Sequence, residues 1–285
     1  MYRDFYGLKK KPFELVPDDE IIFMSEGHKE AFSTLFYGVI ERKGFIVLTG
    51  DVGTGKTTIL RLLKRSLRKR CIIAMVSNPT LTIHDFYMYL SSLFKLGSAS
   101  RAKARFMIKF QELLELKAKT GIHVVLAIDE AHLLSPEMFE EIRLLSNLGM
   151  DAGAALTIVL VGQPELDHIL SNSKMRALRQ RITIRYHIPL FRPYDTRRYI
   201  IFRLQKAGAR RLNIFDYDAV ELVHEYSKGC PRLINILCDH ALLSGYAANK
   251  IVIDADIIRD SARELELAGP APQKRKGFLG RLLGM

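Results

Sequence analysis

The sequence has 285 residues, of which 48% are hydrophobic and 26% charged, as in ordinary globular proteins. No apolar run reaches the roughly 18–20 residues that cross a bilayer, and the N-terminus lacks the apolar core of a secretory signal, so a cytoplasmic protein is expected. The net charge of +12 favours an anionic partner, such as nucleic acid, an acidic protein or anionic lipid, as readily as it indicates a solvated basic surface. Cys71, Cys230 and Cys238 lack metal-ligand spacing and indicate a reducing compartment.

The first two thirds of the chain alternate between strand-like and helical patterns. A helix is predicted from about Ser25 to Arg42, another after residue 55, helices within 80–119 around a break at 97–100, and one after Ser135. Continuous apolar runs between them predict a parallel five-stranded sheet sandwiched by helices. These runs span residues 45–48, 71–76, 124–128, 156–162 and 182–188.

The last third contains no strand-like run. Helices are predicted at about 195–207, 216–227, 231–248 and 254–267, and they indicate a small all-helical lid domain. The predicted regions are therefore an N-terminal lead-in and helix, a nucleotide-binding α/β domain, the helical lid domain, and a linker with a basic amphipathic tail. Their bounds are residues 1–43, 44–193, 194–267 and 268–285.

The segment that joins the first predicted strand to the next helix has the pattern of a phosphate-binding loop, Gly-x4-Gly-Lys-Thr. Glycines let its backbone N–H groups converge on phosphate oxygens, and the helix N-terminus adds positive partial charge. Lys56 is predicted to reach the β- and γ-phosphates, and the Thr57 hydroxyl to bind Mg²⁺. The predicted nucleotide-binding residues are Gly50, Asp51, Val52, Gly53, Thr54, Gly55, Lys56, Thr57 and Thr58.

Two acidic residues end the third predicted strand. Asp129 is expected to hold Mg²⁺ from the side opposite Thr57, and Glu130 to orient and deprotonate the attacking water. The pair would turn a nucleotide-binding site into a hydrolytic one. The sequence has no Asn-Lys-x-Asp guanine reader, since Val252 stands where the aspartate belongs, and this favours ATP over GTP. Asp129 to His132 also match the acidic box of helicases, but those need two motor domains.

Further polar residues follow the later strands. Gln163 comes directly after the fourth strand, where a side chain can reach the γ-phosphate or the water. Arg176, Arg179 and Arg181 precede the fifth, where an arginine can face a neighbouring subunit's nucleotide. Arg232 opens a helix of the lid domain. Each residue also has an ordinary interpretation, as a surface arginine or a loop glutamine.

This ordered set of motifs resembles AAA+ ATPases, and more narrowly the general secretion pathway protein A (ExeA-like) group with its pilus-biogenesis and exosortase-associated relatives. The resemblance runs from about residue 2 to 267. The residues that carry it are 5–8, 12–13, 44–47, 50–58, 129–132, 161–166, 179–182 and 229–235.

The resemblance implies an ATP-driven homo-oligomer with its site at the subunit interface. It assigns Gln163 and Arg232 as sensors, Arg181 or less surely Arg179 as the trans-acting finger, and Pro12 and Phe13 to the adenine. Longer secretion members continue beyond the point where this sequence ends, which favours the short pilus- or exopolysaccharide-associated members. Related transposition regulators share the ATPase core and bind DNA.

Two functions remain open: an ATPase that drives inner-membrane assembly machinery, and a DNA-binding ATPase switch. The tail, residues 274–285, gathers Phe278, Leu279, Leu282 and Leu283 on one helical face with basic residues at its edges. This pattern is typical of a helix in the membrane interface and is similar to the C-terminal targeting helix of the MinD cell-division ATPase. It favours the first function, with the protein peripheral at the inner face of the cell membrane on an anionic surface.

Overall fold

The computed structural model describes residues 2–14, 22–97, 103–153 and 155–267. Within them, a parallel five-stranded sheet has the strand order β2-β3-β4-β1-β5. β1, the strand that leads into the glycine-rich loop, therefore lies between β4 and β5. The strands are β1 (Phe45–Gly50), β2 (Cys71–Val76), β3 (His123–Ile128), β4 (Leu156–Gly162) and β5 (Ile182–Ile188). The predicted sheet is confirmed.

Helices connect the strands and make up most of the C-terminal part. Short 3-10 turns lie at Ala131–Leu133 and Ser173–Met175. Among the described residues, no helix combines the length and apolar character needed to span a bilayer. The α-helices are α1 (Tyr2–Phe5), α2 (Glu26–Ile40), α3 (Lys56–Leu67), α4 (Ile83–Leu93), α5 (Lys103–Lys119), α6 (Pro136–Asp151), α7 (Glu165–Ser171), α8 (Arg176–Arg179), α9 (Pro193–Lys206), α10 (Tyr217–Ser227), α11 (Pro231–Ala247) and α12 (Ala255–Glu264).

The chain divides into two compact units, of which residues 16–190 form the sheet unit. Alternate residues of its central strands enter two different apolar clusters, one on each face of the sheet. On β1, for example, Val47 belongs to the cluster with Phe86 and Phe110, whereas Leu48 belongs to the cluster with Leu63. Helices therefore cover both faces, as a parallel sheet requires.

β5 differs from the buried strand that its apolar residues predicted. Its side chains alternate between half-buried and exposed up to the buried Ile188, and Thr183, Arg185 and His187 are exposed. The reason is its place at the edge of the sheet, where Ile184 and Tyr186 pack on the cluster beneath α2. Half-burial with alternation is the normal pattern for such a strand.

Residues 1–15 and 191–285 make up the second unit, whose described part is mostly helical with one isolated bridge between Phe215 and Ile253. The N-terminal segment belongs here, because the Tyr2 hydroxyl donates to Asp239 Oδ1 at 2.5 Å and Phe13 packs edge-on against Phe215. The sequence grouped residues 1–43 as one region, whereas the structure divides them between the units. The predicted linker and tail, 268–285, and residues 98–100 of the predicted break, with the next two residues, lie outside the described residues.

Candidate functional site

The glycine-rich loop joins the carboxyl end of β1 to the first residue of α3. Gly53 and Gly55 have φ angles of 80° and 93°, which side-chain-bearing residues rarely adopt, so the loop needs glycine at both positions. The Lys56 ammonium donates to the carbonyl oxygens of Gly50 and Asp51 at 2.7 and 2.9 Å. The loop therefore curls around its own lysine, at the N-terminus of a helix whose partial positive charge suits an anion.

A buried histidine of α2 contacts the backbone of the glycine-rich loop. His28 of α2 has its Nε2 atom 2.8 Å from the Thr54 carbonyl oxygen and its Nδ1 atom 2.6 Å from Ser25 Oγ. Because a carbonyl only accepts, Nε2–H donates to Thr54 and Nδ1 accepts from the serine hydroxyl. His28 falls within the helix that the sequence predicts from Ser25, but it was given no role in the site, although a histidine on the buried face of a helix is the available signal.

The predicted magnesium ligands meet directly. The Thr57 hydroxyl donates to Asp129 Oδ2 at 2.6 Å, and Asp129 is buried with its other oxygen accepting from the Glu130 backbone N–H at 3.0 Å. A hydroxyl and a carboxylate are oxygen ligands of the kind that Mg²⁺ prefers. In the ranges that the structure describes, no group of three or more His, Cys, Asp or Glu side chains could hold a metal. Mg²⁺ keeps waters and substrate phosphates among its ligands, so two protein oxygen atoms would suffice to hold it.

Glu130 lies at the beginning of a turn that brings a third polar side chain to the site. Its φ of 53° is left-handed, and its carboxylate is 39% exposed. The following 3-10 turn places His132 with Nδ1 3.6 Å from Glu130 Oε2 and Nε2 3.0 Å from Gln163 Nε2. The predicted residues Glu130 and Gln163 are thus joined through His132, which the sequence analysis gave no role.

The arginines before β5 have different surroundings. Arg181 is half-buried, and its guanidinium donates to Ser146 Oγ and Asn147 Oδ1 of α6, each at 2.6 Å. Arg179 is exposed and donates to the Ser171 carbonyl oxygen at 2.7 Å, and Arg176 is also exposed. Among the described residues, Arg181 therefore makes more hydrogen bonds within its own chain than Arg179 does.

The remaining predicted residues lie in the helical unit. Arg232 is exposed in the first turn of α11, after Cys230 and Pro231. Phe13 is 1% exposed, and the carbonyl oxygen of Pro12 accepts from the Arg203 guanidinium. The site that the structure assembles directly consists of the loop, Thr57, Asp129, Glu130, His132 and Gln163.

Comparison with known proteins places this site in a known fold. The family model of the AAA domain matches residues 40–170. General secretion pathway protein A of Aeromonas hydrophila is 40% identical over 255 residues, covering 88% of this chain and 46% of that protein. The chain spans about half the length of the curated relatives it matches.

Solved structures show the same architecture at low identity. Cdc6p of Pyrobaculum aerophilum superposes with a TM-score of 0.68 at 15% identity, over 89% of this chain and 70% of that one. Drosophila ORC bound to DNA superposes with a TM-score of 0.66 at 15% identity, over 90% of this chain and 65% of that one. These likenesses concern the fold.

Proposed function

From the AAA+ fold of this chain, and from its resemblance to general secretion pathway protein A along most of this chain, we propose that it binds ATP with Mg²⁺ and hydrolyses the ATP. We propose further that hydrolysis drives assembly of a membrane-associated secretion, pilus or exosortase system. The observation that carries the proposal is the Thr57–Asp129 contact of 2.6 Å, with Glu130 as the next residue. This contact joins the phosphate-binding loop to the Asp129 carboxylate, and the Glu130 carboxylate follows directly. A phosphate-binding loop with these two carboxylates is the minimum that phosphoryl transfer to water requires.

Nucleotide binding would use the loop and its lysine. Lys56 now donates to two loop carbonyls, and a bound polyphosphate would offer its ammonium stronger, charged acceptors in their place. The backbone N–H groups of the loop and the N-terminus of α3 would contact the same anion. For the adenine end, Phe13 has weaker support, because its ring is buried against Phe215.

Hydrolysis would use the residues at the ends of β3 and β4. Thr57 and Asp129 would hold Mg²⁺, which supplies charge neutralisation for the phosphates when bound. The partly exposed Glu130 carboxylate would accept a proton from the attacking water. At the same time the water oxygen would bond to the γ-phosphorus, and the bond from that phosphorus to the β-phosphate oxygen would break. Gln163 would orient that water or contact the γ-phosphate.

Substitutions that separate binding from chemistry test this proposal. We expect Lys56→Ala to abolish ATP binding, because lysine contacts the phosphates of the ground state. We expect Glu130→Gln to leave ATP binding intact and to stop turnover, because its carboxylate serves only the attacking water. The measurements are the affinity for a fluorescent ATP analogue and phosphate release, with Lys64→Ala on the exposed face of α3 as a control. Normal turnover in Glu130→Gln would overturn the assignment.

Assembly into an oligomer and a role at the inner membrane belong to the same proposal. They are supported by the likeness to general secretion pathway protein A and by the amphipathic composition of residues 274–285. Such a basic, apolar-faced segment has the composition that binds anionic lipid surfaces.

One observation favours a second candidate, an ATPase that binds DNA. Lys9, Lys10 and Lys11 are exposed, and the backbone N–H groups of Lys9 and Lys10 bond the Ala207 carbonyl oxygen, next to the exposed Arg210 and Arg211. Five cations on one stretch of surface suit a phosphate backbone. Tight binding of duplex DNA that weakens steeply with salt, and is lost when these residues are replaced by glutamine, would favour this function over membrane assembly.

A further inference from the structure

We propose that His132 is a positioning residue that fixes the amide of Gln163 relative to the carboxylate of Glu130. Held in this way, Gln163 and Glu130 act as one coupled unit in hydrolysis. The inference rests on the proposed ATPase function and deepens it. It gives a role to His132, a largely buried polar side chain to which the motifs alone assign none.

The turn after β3 holds the imidazole between the two residues. His132 lies in the 3-10 turn that follows β3, and Gln163 follows β4, the strand paired with β3. The side chain of His132 is only 10% exposed. A Cβ atom at Gly162 would lie 3.3 Å from the backbone nitrogen of His132, so a small residue at the end of β4 lets the turn approach this closely.

The imidazole makes polar contacts in both directions. Its Nε2 atom lies 3.0 Å from the side-chain nitrogen of Gln163, and its Nδ1 atom lies 3.6 Å from Glu130 Oε2 and 3.4 Å from the Gln163 backbone nitrogen. A neutral imidazole carries one N–H, so these contacts cannot all be hydrogen bonds at once. The position of that proton selects between two arrangements.

With the proton on Nδ1, the imidazole points its N–H toward the Glu130 carboxylate, and the Gln163 amide N–H donates to Nε2. The amide oxygen of Gln163 is then turned away from His132, where it can accept a hydrogen bond from water. With the proton on Nε2, the amide must rotate to offer its oxygen to His132, and Nδ1 accepts from the Gln163 backbone. The negative charge of Glu130 favours the first arrangement, whereas the Gln163 backbone N–H, which lies 3.4 Å from Nδ1, favours the second.

The charge of Glu130 therefore biases the orientation of the Gln163 amide through His132. An isolated glutamine amide has two nearly equivalent orientations, and its rotamer freedom is lost when it is held in place. His132 would remove that ambiguity before the water arrives, which is how a positioning residue raises kcat without binding substrate.

A double-mutant cycle on the full-length protein tests the coupling. We expect His132→Ala and Gln163→Ala each to lower kcat by about tenfold or more, with the affinity for a fluorescent ATP analogue nearly unchanged. The double variant should be no slower than the slower single variant, because His132 acts only through Gln163. Losses that multiply in the double variant would overturn the inference.

Two amide replacements separate positioning from simple packing. A glutamine at 132 places a polar group near the former Nε2, facing Gln163, whereas an asparagine places it near Nδ1, facing Glu130. We expect His132→Gln to keep a larger part of kcat than His132→Asn, and equal loss in the two variants would contradict the inference. The comparison also decides the matter if His132→Ala fails to fold.

The controls distinguish failure of this inference from failure of the proposed function. His168 is an exposed histidine on α7, and His168→Ala should leave kcat unchanged. If Glu130→Gln stops turnover while the effects at His132 and Gln163 multiply, the ATPase assignment stands and the coupling is wrong. If Glu130→Gln hydrolyses ATP normally, the assignment of Glu130 as the base is wrong, and if the unaltered protein does not hydrolyse ATP, the ATPase function itself is wrong.

Discussion

His123, at the start of β3, is buried with one ring nitrogen lacking a partner among the described residues. Its Nε2 atom lies 2.8 Å from Thr157 Oγ1, and that hydroxyl gives its proton to the Lys43 carbonyl oxygen at 2.7 Å. Thr157 must therefore accept from Nε2–H, which leaves the Nδ1 lone pair buried. Burial, with a smaller contribution from the positive charge of Arg42, lowers the pKa of His123 to about 4.

Protonation of His123 should destabilise the fold at acid pH. Between pH 6.5 and about 4 the unfolded chain binds a proton that the folded protein does not, so the free energy of unfolding falls as pH decreases through this window. Across this window the free energy of unfolding falls by at most about 3 kcal/mol. Urea unfolding at a series of pH values should show it, and His123→Gln should reduce the slope. An identical slope in His123→Gln would assign the effect to other groups.

At the residue scale, the sequence predicts groups whose spacing is fixed by chemistry. The loop glycines, Lys56 and Thr57 follow a set order because each has its own contact with a phosphate or metal. His28 and His132 have no such spacing. Each acts through a neighbour that is distant in sequence, Thr54 in one case and Gln163 in the other. Their roles depend on strand order, which no local pattern contains.

At the scale of elements, α6 holds the segment before β5 through Arg181. The Arg181 guanidinium donates hydrogen bonds to the side chains of Ser146 and Asn147, and it also lies 3.4 Å from the Arg143 carbonyl oxygen. A residue held in this way stabilises its own subunit. The exposed Arg179, on α8, is better placed to reach another subunit's nucleotide, so the contacts favour it over Arg181 as the proposed finger.

Replacing the two arginines should therefore have different effects. We expect Arg179→Ala to lower turnover by about 10³-fold while ATP binding and stability persist. Arg181→Ala should lower the free energy of unfolding by about 1.5–3 kcal/mol, since charged hydrogen bonds are lost. Mixing Arg179→Ala with Glu130→Gln subunits should restore some activity, because certain interfaces then hold both intact groups. A stable but inactive Arg181→Ala protein would return the role to Arg181.

Helices and strands were predictable to the extent that their patterns are local. β3 and β4 are fully buried and, apart from His123 and Thr157, consist of apolar residues and glycine, as the sequence indicated for 124–128 and 156–162. β5 alternates Ile182, Thr183, Ile184 and Arg185, but only the strand order shows that it lies at an edge. The close packing of α6 on β4 has no sequence signal either: a Cβ at Gly149 would lie 2.5 Å from that of Leu156.

At the scale of the whole molecule, the division of the chain depends on contacts between its two ends. The hydrogen bond from Tyr2 to Asp239 spans almost the full described sequence, so composition and periodicity could not place the N-terminal segment in the helical unit. The tail, residues 274–285, was assigned from composition alone, and its function is open to direct measurement.

Deleting residues 274–285 should abolish ATP-dependent binding to anionic liposomes. Each basic residue near such a surface contributes about 1 kcal/mol, so one tail binds weakly and several on one oligomer bind far more firmly. Co-sedimentation with and without ATP measures this, and liposomes of neutral lipid are the control. Equal binding by the full-length and truncated proteins would exclude the tail as the anchor, and tight DNA binding instead would support the second function.

The place of β1 between β4 and β5 has a consequence for synthesis on the ribosome. Among the described residues, β1 pairs only with β4 and β5, which are translated much later, whereas β2 and β3 pair with each other. About a hundred residues lie between β1 and β4. At a synthesis rate of roughly 5–20 residues per second, β4 is made on the order of 5–20 s after β1. During that interval the nascent chain exposes the apolar residues of β1, so we expect chaperones to bind the chain mainly before β4 emerges.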